Sequence, residues 1–97
     1  MNAGVDEVLN ETPEARLKRM KMRSWRRGTK EMDMILGPYA DEHLAGMDEA
    51  RLILYDRLLW ENDQEILPWI LGKAETPIDY KDLVGEIGVF ARNRLKR

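Results

Sequence analysis

The sequence predicts an all-α fold, a compact bundle of about five short helices, on three observations. Apolar residues recur at three- and four-residue spacing in successive segments. Glycine, proline and Asn/Asp punctuation falls between those segments. No alternating run of β-branched residues occurs anywhere. With 97 residues, 43% hydrophobic and 35% charged, the chain suffices for one domain with a small core and a charged coat.

The elements follow in order. Residues 1–11 lack periodicity and large apolar groups, so a disordered arm is expected ahead of a single helical domain over 12–97. Thr12-Pro13-Glu14 reads as N-cap, first-turn proline and an acid facing the positive end of the helix dipole. This first helix carries Leu17, Met20 and Ser24, flanked by Met22 and Trp25, and should stop near Gly28. A second starts from Thr29, with Met32, Ile35, Leu36 and Tyr39 on one face. Gly37-Pro38 should kink or restart it, since proline lacks an N–H and clashes with the preceding turn. Leu44-Ala45-Gly46 ends that stretch.

The third helix opens at Met47 or Asp48 and presents Leu52, Tyr55, Leu58 and Leu59. Asn62 or Asp63 caps a fourth over residues 64–71, with Pro68 expected near its first turn and Gly72 closing it. Residues 73–77 form a loop. Asp79 or Tyr80 begins the last helix, with Leu83, Val84, Ile87, Phe90, Ala91 and Leu95 on one face. Trp60, Trp69 and Phe90 are assigned to the core and Trp25 to a partly exposed position.

Composition excludes several functions. Without cysteine there is no disulfide framework, thiol nucleophile or thiolate zinc site, and His43 alone makes no multi-histidine metal site. No apolar run approaches the roughly 20 residues of a membrane span. The opening MNAGVDEVLN has no signal-peptide core and carries Asp6 and Glu7 before any basic residue. That argues against a mitochondrial leader, and a bacterial cytoplasmic location is expected. There is no Gly-rich phosphate loop, and His43 reads as a surface or capping residue. No self-sufficient active site emerges. The chain is expected not to be an enzyme and to hold no cofactor or metal of its own.

Charge is distributed unevenly. Residues 16–30 hold eight Lys and Arg and no acid, whereas residues 31–65 hold ten acids against Arg51 and Arg57. The tail is basic again at Arg92, Arg94, Lys96 and Arg97. Part of the basic run can neutralise the acidic segment, and the rest can face an anionic partner.

One junction stands out, Arg26-Arg27-Gly28-Thr29-Lys30-Glu31-Met32-Asp33. Gly28 can serve as a helix stop, and Glu31 and Asp33 can favour a helix N-terminus. Gly28 also permits close backbone approach by a partner, and an arginine beside it can grip a carboxylate or phosphate with two bonds.

That stretch resembles the RGxxE signature of the succinate dehydrogenase FAD assembly factor family, which has bacterial and mitochondrial members. Ile35-Leu36-Gly37-Pro38-Tyr39-Ala40 is similar to the segment that follows the signature. The block from Leu58 to Gly72, with Trp69, resembles the family's LLE…D…L..W..G pattern. The likeness covers roughly residues 16–77, with departures at Thr29, where an apolar residue is common, and at Gln64. The resemblance implies a five-helix domain that binds the flavoprotein subunit of succinate dehydrogenase, with fumarate reductase as a second candidate client, and promotes covalent attachment of FAD. The client supplies the FAD and the attacking histidine, so the assembly factor assists an autocatalytic reaction. Arg27, Gly28 and Glu31 match the motif and are the expected contact residues, with Asp33 behind them. Arg27 is expected to meet a client carboxylate or the developing negative charge of the flavin. The free protein is expected to be a monomer.

Two other classes compete. A basic helix over residues 16–30 can track phosphates, although the acidic segment would repel a nucleic acid. An antitoxin-like module that neutralises another protein would use the same small surface. What co-purifies, a flavoprotein or a toxin, separates it from an assembly factor.

Overall fold

The computed structural model describes residues 11–95, and every regular element among them is helical. The helices are α1 (Pro13–Trp25), α2 (Lys30–His43), α3 (Glu49–Leu58), α4 (Asp63–Ile70) and α5 (Lys81–Leu95). Short 3₁₀ turns, Leu44–Gly46 and Ile78–Tyr80, lead out of α2 and into α5. The expected arm lies outside the described residues except for Glu11, whose carboxylate accepts bonds from Arg19.

Local chemistry explains the ends. Thr12, Thr29 and Asp48 cap α1, α2 and α3, each accepting a bond from the backbone N–H three residues on. The start of α4 differs from expectation. It begins at Asp63, Asn62 makes no side-chain cap bond, and the Asp63 carboxylate is engaged elsewhere. Its end is a Schellman motif: Lys73 N–H reaches the Pro68 carbonyl at 2.8 Å and Gly72 N–H the Trp69 carbonyl at 3.2 Å. Gly72 takes φ +73°, which glycine adopts without strain.

The predicted stripes converge on one core. Met20, Met32, Leu36, Tyr39, Tyr55, Leu58, Ile66, Leu83 and Ile87 are sealed from solvent. Each such aliphatic side chain contributes about 1.5–3 kcal/mol of burial. Ser24 is the one buried polar side chain of this core among the described residues. It is satisfied, with its hydroxyl 2.8 Å from the Met20 carbonyl and 2.7 Å from the Tyr55 hydroxyl.

Three expectations change. First, α2 runs through Gly37-Pro38 without a restart, and Pro68 lies in the sixth position of α4, beyond its first turn. Both prolines forfeit a bond to the carbonyl four residues back. Those carbonyls belong to Met34 and Gln64, both exposed residues that water can reach. Second, α1 stops at Trp25, three residues before Gly28. The Trp25 indole lies on the backbone of α2 at Gly37, where an added Cβ would clash with the ring, and its N–H donates to Asp41 at 3.2 Å. Gly37 is therefore a seat for an indole. Third, Trp60 is not in the core but 67% exposed. Leu58 and Leu59 fill the core as α3 ends, and the next residue turns outward. Trp69 and Phe90 are partly buried against the core.

Candidate functional site

The site forms where the α1–α2 junction meets the turn between α3 and α4. Once α3 ends at Leu58, the carbonyls of Leu59 and Glu61 have no following helical N–H to receive. Arg27 supplies the donors. Its guanidinium gives Nη1 to the Leu59 carbonyl at 2.7 Å, Nη2 to the Glu61 carbonyl at 3.0 Å and Nε to the Asp63 carboxylate at 2.8 Å. The Arg27 side chain is only 6% exposed. A cation placed over a helix C-terminus and against an acid in the first turn of the next helix suits both dipoles. The planar fork reaches three acceptors at once, which an ammonium cannot.

The backbone of the junction is tied as well. Arg27 N–H donates to the Asp33 carboxylate at 2.6 Å, and Thr29 caps α2. Between these ties Gly28 takes φ +108°, and a Cβ built on it meets nothing within 4 Å. Gly28, Thr29, Lys30 and Glu31 are exposed.

The four sequence-predicted residues therefore divide. Gly28 and Glu31 face solvent, while Arg27 and Asp33 are occupied in holding the junction. Arg27, expected to meet a partner's charge, spends three of its side-chain donors within the chain. The reason was invisible locally, since its acceptors lie more than thirty residues along the chain.

Charge neutralisation between the basic and acidic segments is real but partial. Arg16 pairs with Glu49 at 2.8 Å and Arg19 with Asp56 at 2.7 Å. Hydrogen bonds to Asp56, then to Glu11, hold the Arg19 guanidinium more firmly protonated than usual. Arg23, one turn on, has no carboxylate partner among the described residues. Its guanidinium lies over the Trp60 ring, 4.2 Å from the centroid, and Nη2 donates to the Leu59 carbonyl at 3.2 Å. Its Nε is buried without a partner. Burial, then the positive Arg27 and Arg19, lowers its pKa. An open pocket of about 750 Å³ is lined by Arg23, Arg26, Gly28, Thr29, Trp60 and Gln64, among others. Sequence reasoning did not single out Arg23 or Trp60 as site residues. The four-residue spacing of Arg19, Arg23 and Arg27 along the sequence was the available signal.

A second polar cluster lies between α2 and α5. The Tyr39 hydroxyl donates to the Glu86 carboxylate at 2.5 Å, and Arg51 donates to the other oxygen at 3.1 Å. The Tyr39 bond, aided by Arg51, holds the Glu86 carboxyl below the usual carboxylate range. His43 stacks on Tyr39 at 4.6 Å and meets the edge of Phe90 at 5.4 Å, so it is a packing residue as well as a surface one. Among the described residues no helix is long and apolar enough to cross a membrane.

The comparisons with known proteins point to one family. A family model described as flavinator of succinate dehydrogenase matches residues 18–91, which include the whole junction. A Schizosaccharomyces pombe protein named succinate dehydrogenase assembly factor 2, mitochondrial, is 38% identical over 87% of this chain. Proteins of the same name from Dictyostelium discoideum and Aedes aegypti are 35% and 34% identical over 77% and 93% of the chain. The matches cover 62%, 55% and 55% of those three relatives, so the chain spans little more than half their length. These names overturn the expectation of a bacterial cytoplasmic location, since each relative is named mitochondrial. That expectation rested on the composition of the first ten residues, which says nothing of the body that carries the match.

Proposed function

The chain belongs to the family described as flavinator of succinate dehydrogenase, and from that premise we propose that it is an assembly factor. It binds the flavoprotein subunit of succinate dehydrogenase and promotes covalent attachment of FAD to that subunit. The observation that carries this reading is the family match across residues 18–91 around a rigid junction that leaves Gly28 open and Glu31 exposed.

The bond joins a client histidine to the flavin within the client, and this chain contributes a shaped surface. Gly28 admits the client backbone to close range, where any side chain would intervene. Glu31 offers a carboxylate to a client cation or N–H. Arg27 and Asp33 act as positioning residues that fix the loop. A junction rigid before contact loses little entropy on docking. Holding the client with its histidine and flavin aligned converts a rare arrangement into a frequent one, a gain that can reach several kcal/mol. The chain turns over no substrate of its own and leaves the FAD to the client. Of the eight cations over residues 16–30, Arg16, Arg19 and Arg27 are engaged internally, which disfavours the nucleic-acid reading.

Co-expression of the flavoprotein subunit with and without this chain tests the proposal. Flavin fluorescence retained on the denatured subunit band reports covalent attachment. A clear rise with the chain present is expected, and equal signals would overturn the reading. Gly28→Arg should abolish the rise while the purified variant keeps its helical circular dichroism. Full flavinylation with that variant would overturn the contact at Gly28.

A further inference from the structure

Arg19 and Arg23 stand one turn apart on α1 and Arg27 follows in the junction beyond its end, yet only Arg19 and Arg27 have acids. Arg23 sits between two like charges, shares the Leu59 carbonyl with Arg27, and has a buried Nε with no acceptor. Such an arrangement costs stability unless something negative arrives. The centre of its guanidinium lies over Trp60, a large apolar ring that is 67% exposed. Stacking uses the face of a guanidinium and leaves edge donors for a carboxylate. An exposed tryptophan beside a half-buried arginine at the rim of a pocket brings together two residue types enriched at the energetic hot spots of protein interfaces.

We propose that the pocket between Arg23, Arg26 and Trp60 receives a carboxylate side chain of the protein that docks at Gly28. Arg23 is its charge partner and Trp60 its apolar wall. The pocket's own charge selects the occupant: its lining holds three arginines, Arg23, Arg26 and Arg27, and two acids, Glu61 and Asp63. One net positive charge remains, which suits a singly charged aspartate or glutamate better than a doubly charged phosphate. Gly28 and Thr29 line the same pocket, so a client seated on the glycine reaches it without a second docking event. The inference rests on the assembly-factor reading for the identity of the client, and adds a specificity element outside the RGxxE stretch.

Calorimetric titration of the flavoprotein subunit with the full chain, at low and high salt, tests it. Arg23→Gln should weaken binding about tenfold and flatten the salt dependence. Trp60→Leu, a change at an exposed site that spares the fold, should weaken binding several-fold with the salt dependence retained. Wild-type affinity and salt dependence in both variants would overturn the pocket while leaving the assembly role intact. If the wild-type chain itself fails to bind the flavoprotein, the assembly reading falls and the pocket is tested separately. A hexaglutamate peptide should then shift the Trp60 indole N–H resonance saturably in the wild type and not in Arg23→Gln. Absence of that shift, or a stronger response to a phosphopeptide of matched length, would overturn the carboxylate assignment.

Discussion

Two polar clusters border the same core and are built to opposite ends. Between α2 and α5, Glu86 takes the Tyr39 hydroxyl and Arg51, and the ring of His43 stacks on Tyr39. Donors and acceptors there match one another. At the α1–α2 junction Arg27 is matched as fully, but beside it Arg23 lacks an acid, Gly28 is open and Glu31 is exposed. A closed cluster contributes stability and has little left to offer a visitor. A cluster that anchors one member and leaves its neighbours unsatisfied has a reason to bind.

The contrast is sharpest at Arg27. Arg27→Ala removes three bonds and strands Asp63 and the Glu61 carbonyl, so it should cost about 3–5 kcal/mol in chemical unfolding. Arg27→Lys should recover only part of that, because a single ammonium cannot span the three acceptors. Unfolding at wild-type denaturant concentration in Arg27→Ala would show that the anchor is not structural.

Tyr39→Phe probes the closed cluster, with an expected cost of about 1–2 kcal/mol at neutral pH. It also has a pH signature. The folded carboxyl of Glu86 sits below its ordinary value of 4.5. Its stabilisation is therefore complete above that value and is lost as the pH falls through the lower folded one. Without Tyr39's bond, the principal cause is gone, and the acid limb of the stability profile should flatten. An unchanged limb in urea titrations from neutral to acid pH would place the acid sensitivity elsewhere.

The smallest effect on stability is expected at Glu31. Glu31→Gln, at an exposed position, should leave stability within about 0.5 kcal/mol. Covalent flavin on the co-expressed client should nonetheless fall several-fold. A loss of stability without a loss of flavinylation would invert the comparison between the two clusters.

Much of the fold was legible locally because its signals are local. Thr12 and Thr29 act as caps where the pattern put them, and the stripes of α1 and α3, with Leu83, Val84, Ile87 and Phe90 of α5, pack on the core. Gly72 closes α4 as expected. Pro68 and the restart expected at Pro38 misled because the penalty depends on whether the abandoned carbonyl meets water, which a linear pattern does not state. Trp60 misled for a related reason, since hydrophobicity names what can be buried and the chain's exit from α3 decides whether it is.

The sequence by itself determined the helices, most of their caps and the turn at Gly28, all of which depend on neighbours within a turn. Only the tertiary structure decided what each charge does. Arg27 is neutralised by residues more than thirty positions away, and Arg23 is left without an acid. Electrostatic roles follow distance through space, and for α1 that distance is set by where α3 ends and α4 begins.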